Sequence, residues 1–169
     1  MGIDPADTQP LRKPPKNRLY QELVQKRIAE LKSHIPLGGL REATVRALIY
    51  VGLGRGSVDE RGFETVRRLR GKYGDIPLSE FKTLVRDQYF MLLIDKDASL
   101  AAIPSMLPSD TGTRSKAFDL IKEVMAAMGK LSPEDEKRLR EIGRLFGIGQ
   151  EGAAIPFPQN RRSLQAKSS

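Results

Sequence analysis

Between two proline-rich ends, the apolar residues of this chain recur every three or four positions, and glycine or proline breaks the rhythm at short intervals. That spacing gathers apolar side chains on one face of a helix, and each such face needs a partner to bury it. The chain is therefore expected to be all-α, with about seven helices packed on one another. Tyr20, Leu23, Val24, Ile28, Leu31 and Ile35 make the inward face of a first helix that ends before Pro36, and Leu40, Thr44, Ala47, Leu48 and Val51 make a second. A third runs from Val58 to Tyr73 with Phe63, Val66, Leu69 and Tyr73 inward; Ser57 and Glu60 are placed as a capping box and Gly74 as a stop. The fourth, Leu78 to Ile94, is apolar nearly all round from Tyr89 onward, which predicts a central core helix. A short piece from Lys96 to Ala102 is interrupted at Pro104. A sixth helix from Thr113 to Met128 turns Ala117, Leu120, Ile121, Val124 and Met128 inward. The last opens at Ser132-Pro133-Glu134-Asp135, an N-cap serine with proline at the first helical position, and stops near Phe146-Gly147.

These elements place a single helical domain at residues 18–148. A proline-rich linker at 1–17 holds Pro5, Pro10, Pro14 and Pro15, and a disordered tail at 149–169 holds Pro156, Pro158, Arg161 and Arg162. The 169 residues contain no cysteine, which excludes disulfides and thiolate chemistry. No run approaches the roughly 18 to 20 apolar residues of a membrane span, so a soluble, cytoplasmic protein is expected. The net charge of +8 raises the question of nucleic acid, yet its distribution argues against that partner. Residues 1–32 carry seven basic against four acidic side chains and residues 151–169 three against one, leaving only +3 on the 118 residues between.

An internal repeat runs through the helices at an offset of 73 residues. Val51, Gly56, Val58, Val66, Leu69, Tyr73 and Gly74 align with Val124, Gly129, Leu131, Leu139, Ile142, Phe146 and Gly147. Each unit reads as an apolar helix, a glycine-containing loop, a capped second helix and a glycine stop. The matched positions are those that packing and turn geometry demand, so the duplication of this helix-loop-helix unit speaks for architecture.

The features that imitate chemistry have plainer explanations. Gly147-Ile148-Gly149-Gln150-Glu151-Gly152 matches a dinucleotide fingerprint in letters, but a helix precedes it where a strand is needed. Gly52-Leu53-Gly54-Arg55-Gly56-Ser57 precedes a helix and lacks the Walker lysine. His34, the single histidine, sits at a predicted helix end, where a cation is favoured. Asp59 with Glu60 and Glu134 with Asp135 lie at helix starts, where carboxylates belong without a metal. Met91, Met106, Met125 and Met128 fall on apolar faces as core residues. No catalytic residue, metal ligand or cofactor is implied. The candidate surface is the basic third helix, with Arg61, Arg67, Arg68, Arg70 and Lys72 near Arg55 of the preceding loop. It reads as a solvated face first, a docking surface for an acidic protein second, and an anion or nucleic-acid site with the Gly54–Ser57 loop third.

The segments Val45-Arg46-Ala47-Leu48-Ile49-Tyr50-Val51, Gly56-Ser57-Val58-Asp59-Glu60-Arg61-Gly62-Phe63 and Phe81-Lys82-Thr83-Leu84-Val85-Arg86-Asp87-Gln88-Tyr89-Phe90-Met91-Leu92-Leu93 carry a resemblance. They are similar to the C-terminal region of bacterial 3-hydroxyalkanoate synthetases, the polyhydroxyalkanoate-synthase-like, α/β-hydrolase-related proteins. The resemblance covers residues 40–147. It implies a non-catalytic C-terminal module that follows an α/β-hydrolase-like domain and serves self-association or partner docking. A looser similarity joins the two repeat units to tellurite-resistance TerB-like helical domains. Those contain Ala-Asp-Gly-Glu where this chain has Gly54-Arg55-Gly56-Ser57 and Ala127-Met128-Gly129-Lys130, so the acidic character of that group is absent here.

Overall fold

The second helix, Leu40–Gly52, is enclosed by the others, and eight of its thirteen residues are buried. We label it α2; the first, Lys16–His34, is α1. The computed structural model describes residues 16–52, 67–72, 74 and 76–149, and within them residues 67–72 are helical and are labelled α3. Then follow α4 (Leu78–Ile94), α5 (Lys96–Ala101), α6 (Ile103–Met106), α7 (Thr111–Ala127) and α8 (Pro133–Leu145). No strand occurs among the described residues, and the fold is all-α.

The core helix is α2, where the apolar run of α4 had suggested α4. Ala43, Thr44 and Ala47 are fully buried small residues, so α4, α6, α7 and α8 can all approach α2. In α4, Phe81, Gln88, Met91 and Leu92 are buried, while Tyr89, Phe90 and Leu93 face outward at 39%, 42% and 58% exposure. The end of α4 is thus contacted on two sides, not all round. The first helix departs from expectation in the same way. Leu31 and Ile35 pack with Met91 in a small cluster, but Tyr20, Leu23 and Val24, expected inward, are exposed. Only the C-terminal half of the α1 apolar face finds cover.

Helix ends follow the sequence signals closely. Ser132 Oγ accepts from Asp135 N at 3.1 Å and Asp135 Oδ2 accepts from Ser132 N at 3.0 Å, a reciprocal capping box around Pro133. Asp110 caps α7 through Thr113, which starts that helix two residues before the expected Thr113. Pro104 does not break the chain here. It lies in the first turn of α6, where the missing N–H has no intrahelical partner to lose. Lys16 and Asn17, assigned to the linker, belong to α1. Gly147 takes φ +67°, and the bonds Gly147 N to Arg144 O and Ile148 N to Gly143 O close a Schellman turn. Its repeat partner Gly74 takes φ +68°. The aligned pairs Val51 with Val124 and Leu69 with Ile142 are all buried. Gly56, Val58, Val66 and Tyr73 lie outside the described residues, as do the Ser57–Glu60 capping box and Phe63. Met91, Met106 and Met125 are core residues and Met128 packs at its edge.

One charged side chain sits at the centre of this apolar packing. Arg46 of α2 is fully buried and donates from Nε to Gln88 Oε1 at 2.7 Å and from Nη1 to the carbonyls of Ile35 and Ser99, each at 3.0 Å. Its Nη2 approaches Met91 Sδ at 3.4 Å, and Ser99 Oγ donates to the Met91 carbonyl at 2.9 Å. One guanidinium therefore ties α2 to α1, α4 and α5. Burial pushes its pKa down to about 10, with Glu42 opposing, so it stays a cation at neutral pH. Arg46→Ala strips Gln88 and two buried carbonyls of their donor and is expected to cost about 3 to 5 kcal/mol of unfolding free energy. Arg46→Lys, a single point of charge in place of a planar fork, should recover no more than about half of that. Urea melts of the two variants check both statements, and a loss below about 1 kcal/mol for Arg46→Ala would show that the hub is dispensable.

Candidate interaction surface

An open groove of about 770 Å³ with polar chemistry lies where α8 runs beside Tyr50 of α2 and Lys96 of α5. Its floor is built on Tyr50, whose side chain is 8% exposed. The Tyr50 hydroxyl donates to Glu141 Oε2 at 2.6 Å, and the Arg138 guanidinium stands 5.5 Å from the ring centre. Arg138 also reaches the Tyr50 carbonyl at 3.4 Å and Glu134 at 3.3 Å. Two carboxylates, a phenol and a guanidinium thus form an interlocked set that fixes α8 against α2.

Four cations remain at the mouth. Lys137, Arg140 and Arg144 project from α8 at positions i, i+3 and i+7, which share a helix face, and Lys96 adds a fourth from the start of α5. All four are exposed, and none forms a salt bridge among the described residues. The α8 register is fixed by Ile142 and Phe146, both fully buried, and by Gly143, whose missing side chain lets the Phe118 ring approach. The apolar face of α8 therefore sets which face carries the charge.

The basic third helix is differently disposed. Arg70 Nε donates to the Ile76 carbonyl at 3.3 Å, which holds the loop after α3. Lys72 pairs with Glu123 of α7 at 3.7 Å. Arg67 and Arg68 are exposed and engaged with other groups. Arg55 and Arg61 lie outside the described residues, so the expected surface is represented by four of its six members, all of them engaged with other groups. Asp59 and Glu60 also lie outside. Asp135 is spent on its cap at 2% exposure, Glu134 on Arg138, and His34 is exposed in the last turn of α1 beside Lys32. Gly147 of the fingerprint-like stretch serves the turn that ends α8.

Sequence reasoning passed over the α8 cations because the density of arginines drew attention to the third helix. Their spacing was the available signal. A second exposed feature is apolar: Leu19, Tyr20, Leu23 and Val24, at 53%, 65% or more for the two beyond it, and 36% for the last, line one face of α1. Leu19 with Leu23 and Tyr20 with Val24 are four apart and Tyr20 with Leu23 three apart, so they form a continuous stripe.

Comparisons with known proteins add one relative. No family model matches the chain, and no solved structure matches it. A Rhizobium meliloti protein, described as an uncharacterized protein in the ackA 5' region, is 46% identical over 160 residues. The alignment takes in 93% of this chain and 22% of that protein. The chain thus spans about a fifth of the length of the curated relative it matches.

The Tyr50 site makes a titration prediction. Burial, and then the hydrogen bond to Glu141 and its charge, push the Tyr50 phenol up to about 12. A raised phenol pKa favours the neutral form in the folded protein. The stability it confers is present below the ordinary value near ~10 and is lost as pH rises through about 12. Ultraviolet titration should show a tyrosine ionising late, and Glu141→Gln should move that step part of the way back toward ~10. An unchanged late step in Glu141→Gln would assign the shift to burial alone.

Proposed function

We propose that this chain is a non-catalytic helical accessory module of a 3-hydroxyalkanoate-synthetase-like protein, serving protein–protein contact or self-association. The observation that carries the reading is the uncovered half of α1. Four large apolar side chains stand on one face of a helix whose next two turns bury Leu31 and Ile35 against α4. An apolar face of that continuity on an exposed helix marks a contact surface. The relative supports the same view, since the shared segment is a minor part of a much longer polypeptide that can supply the covering surface. The resemblance to the C-terminal region of the synthetases adds the nature of that longer protein: an α/β-hydrolase-like domain upstream, in the same chain, would hold the acyl-transfer or hydrolytic chemistry.

Sedimentation equilibrium of the chain with and without Tyr20→Ser and Leu23→Ser tests the contact. Because both side chains are exposed, the double variant should alter unfolding free energy by no more than about 0.5 kcal/mol while abolishing association. Association is read as self-association of the chain, or as binding to a co-expressed upstream segment. The reading fails if the variant associates as well as the parent in both formats. It fails equally if the isolated chain turns over a 3-hydroxyacyl thioester.

A further inference from the structure

We propose that the groove between α2, α5 and α8 is a docking site for a short acidic segment of a partner protein, held by Lys96, Lys137, Arg140 and Arg144. This stands apart from the α1 stripe and rests on different residues. The four side chains are exposed cations without a salt bridge among the described residues, while the carboxylates of the same groove are engaged, Glu134 with Arg138 and Glu141 with the Tyr50 hydroxyl. The excess of positive charge is thus available to a ligand, and it sits on a rigid base fixed by the buried face of α8.

The shape of the charge favours a short peptide. From Lys137 to Arg144 the stripe spans roughly 10 Å at the rise of an α-helix. An extended peptide carries same-side carboxylates about 7 Å apart, so two or three acidic residues cover that length. The stripe is bounded at its N-terminal side by the exposed Glu134 and Glu136 in the first turn of α8. A nucleic-acid strand running along the helix would meet those charges. Nor is there a stacking platform, because the Tyr50 ring is buried and overlain by Arg138, and single strands depend on such stacking. The open groove of about 770 Å³ has room for a few residues of an extended segment.

The test uses the full chain and a fluorescein-labelled glycine–serine peptide with a central Glu-Ser-Glu-Ser-Glu run, followed by anisotropy at low ionic strength, with a labelled oligothymidylate of equal charge in parallel. The peptide should bind saturably and more tightly than the oligonucleotide. Arg140→Glu with Arg144→Glu should weaken peptide binding by at least about tenfold, and the milder Arg140→Gln with Arg144→Gln should do so in the same direction. Lys26→Glu with Lys82→Glu changes net charge equally at exposed sites outside the groove and should weaken binding less than about twofold. The proposal is overturned by tighter binding of the oligonucleotide, by equal losses in the groove and control variants, or by no saturable peptide binding. Thermal melts establish that each variant is folded before it is compared.

Discussion

The fold turns on a cation placed where a cation is expensive. Burying a guanidinium without a carboxylate at hydrogen-bonding distance costs several kcal/mol unless its donors are satisfied. Arg46 meets that demand with neutral acceptors: an amide oxygen, two carbonyls and a thioether. The two carbonyls stand at the C-terminal ends of α1 and α5, where unpaired acceptors collect and the helix dipole is negative. The guanidinium and the helix ends thus resolve each other's deficits. Because its donor directions are fixed in a plane, the same group sets where α1 stops and how α5 leaves α4.

Much of the scaffold was legible in the sequence because it rests on local rules. The serine, proline and acidic residues at 132–135 specify a helix start within a few residues of chain, and Gly147 specifies a stop through backbone geometry that other residues resist. What periodicity could not supply was the order of burial among helices. A stripe such as Tyr20, Leu23 and Val24 shows that a face is apolar and leaves open whether anything covers it. Small residues on α2 decided the centre, and their low apolar content made that helix look less committed than α4. Arg46 was hidden for a related reason. A lone arginine in an apolar run gives no sign of the carbonyls it meets, since those come from 11 and 53 positions away.

The candidate surface shows the same division. Counting cations singled out the third helix, where Arg70 holds the following loop and Lys72 pairs with Glu123 at the surface. Spacing, rather than density, marks Lys137, Arg140 and Arg144 as one face. That face is only meaningful once Ile142, Gly143 and Phe146 are known to point inward. The chain therefore presents two exposed surfaces of opposite character, an apolar one on α1 and a basic one on α8, joined through a core that holds both in place.

The lopsided docking of α1 has a consequence for how the molecule opens. Its main helix-to-helix contact is with α4, through a cluster of three buried residues, whereas α2 is walled in by four neighbours. Cooperative units with so few buried contacts release at lower free energy than the globule as a whole. The first helix can accordingly peel away while α2, α4, α7 and α8 stay assembled, shedding the Ile35 carbonyl from Arg46 as it goes. Whatever covers the α1 stripe would then do more than add contact area: by clamping a loosely held helix, it would also secure one corner of the arginine's coordination.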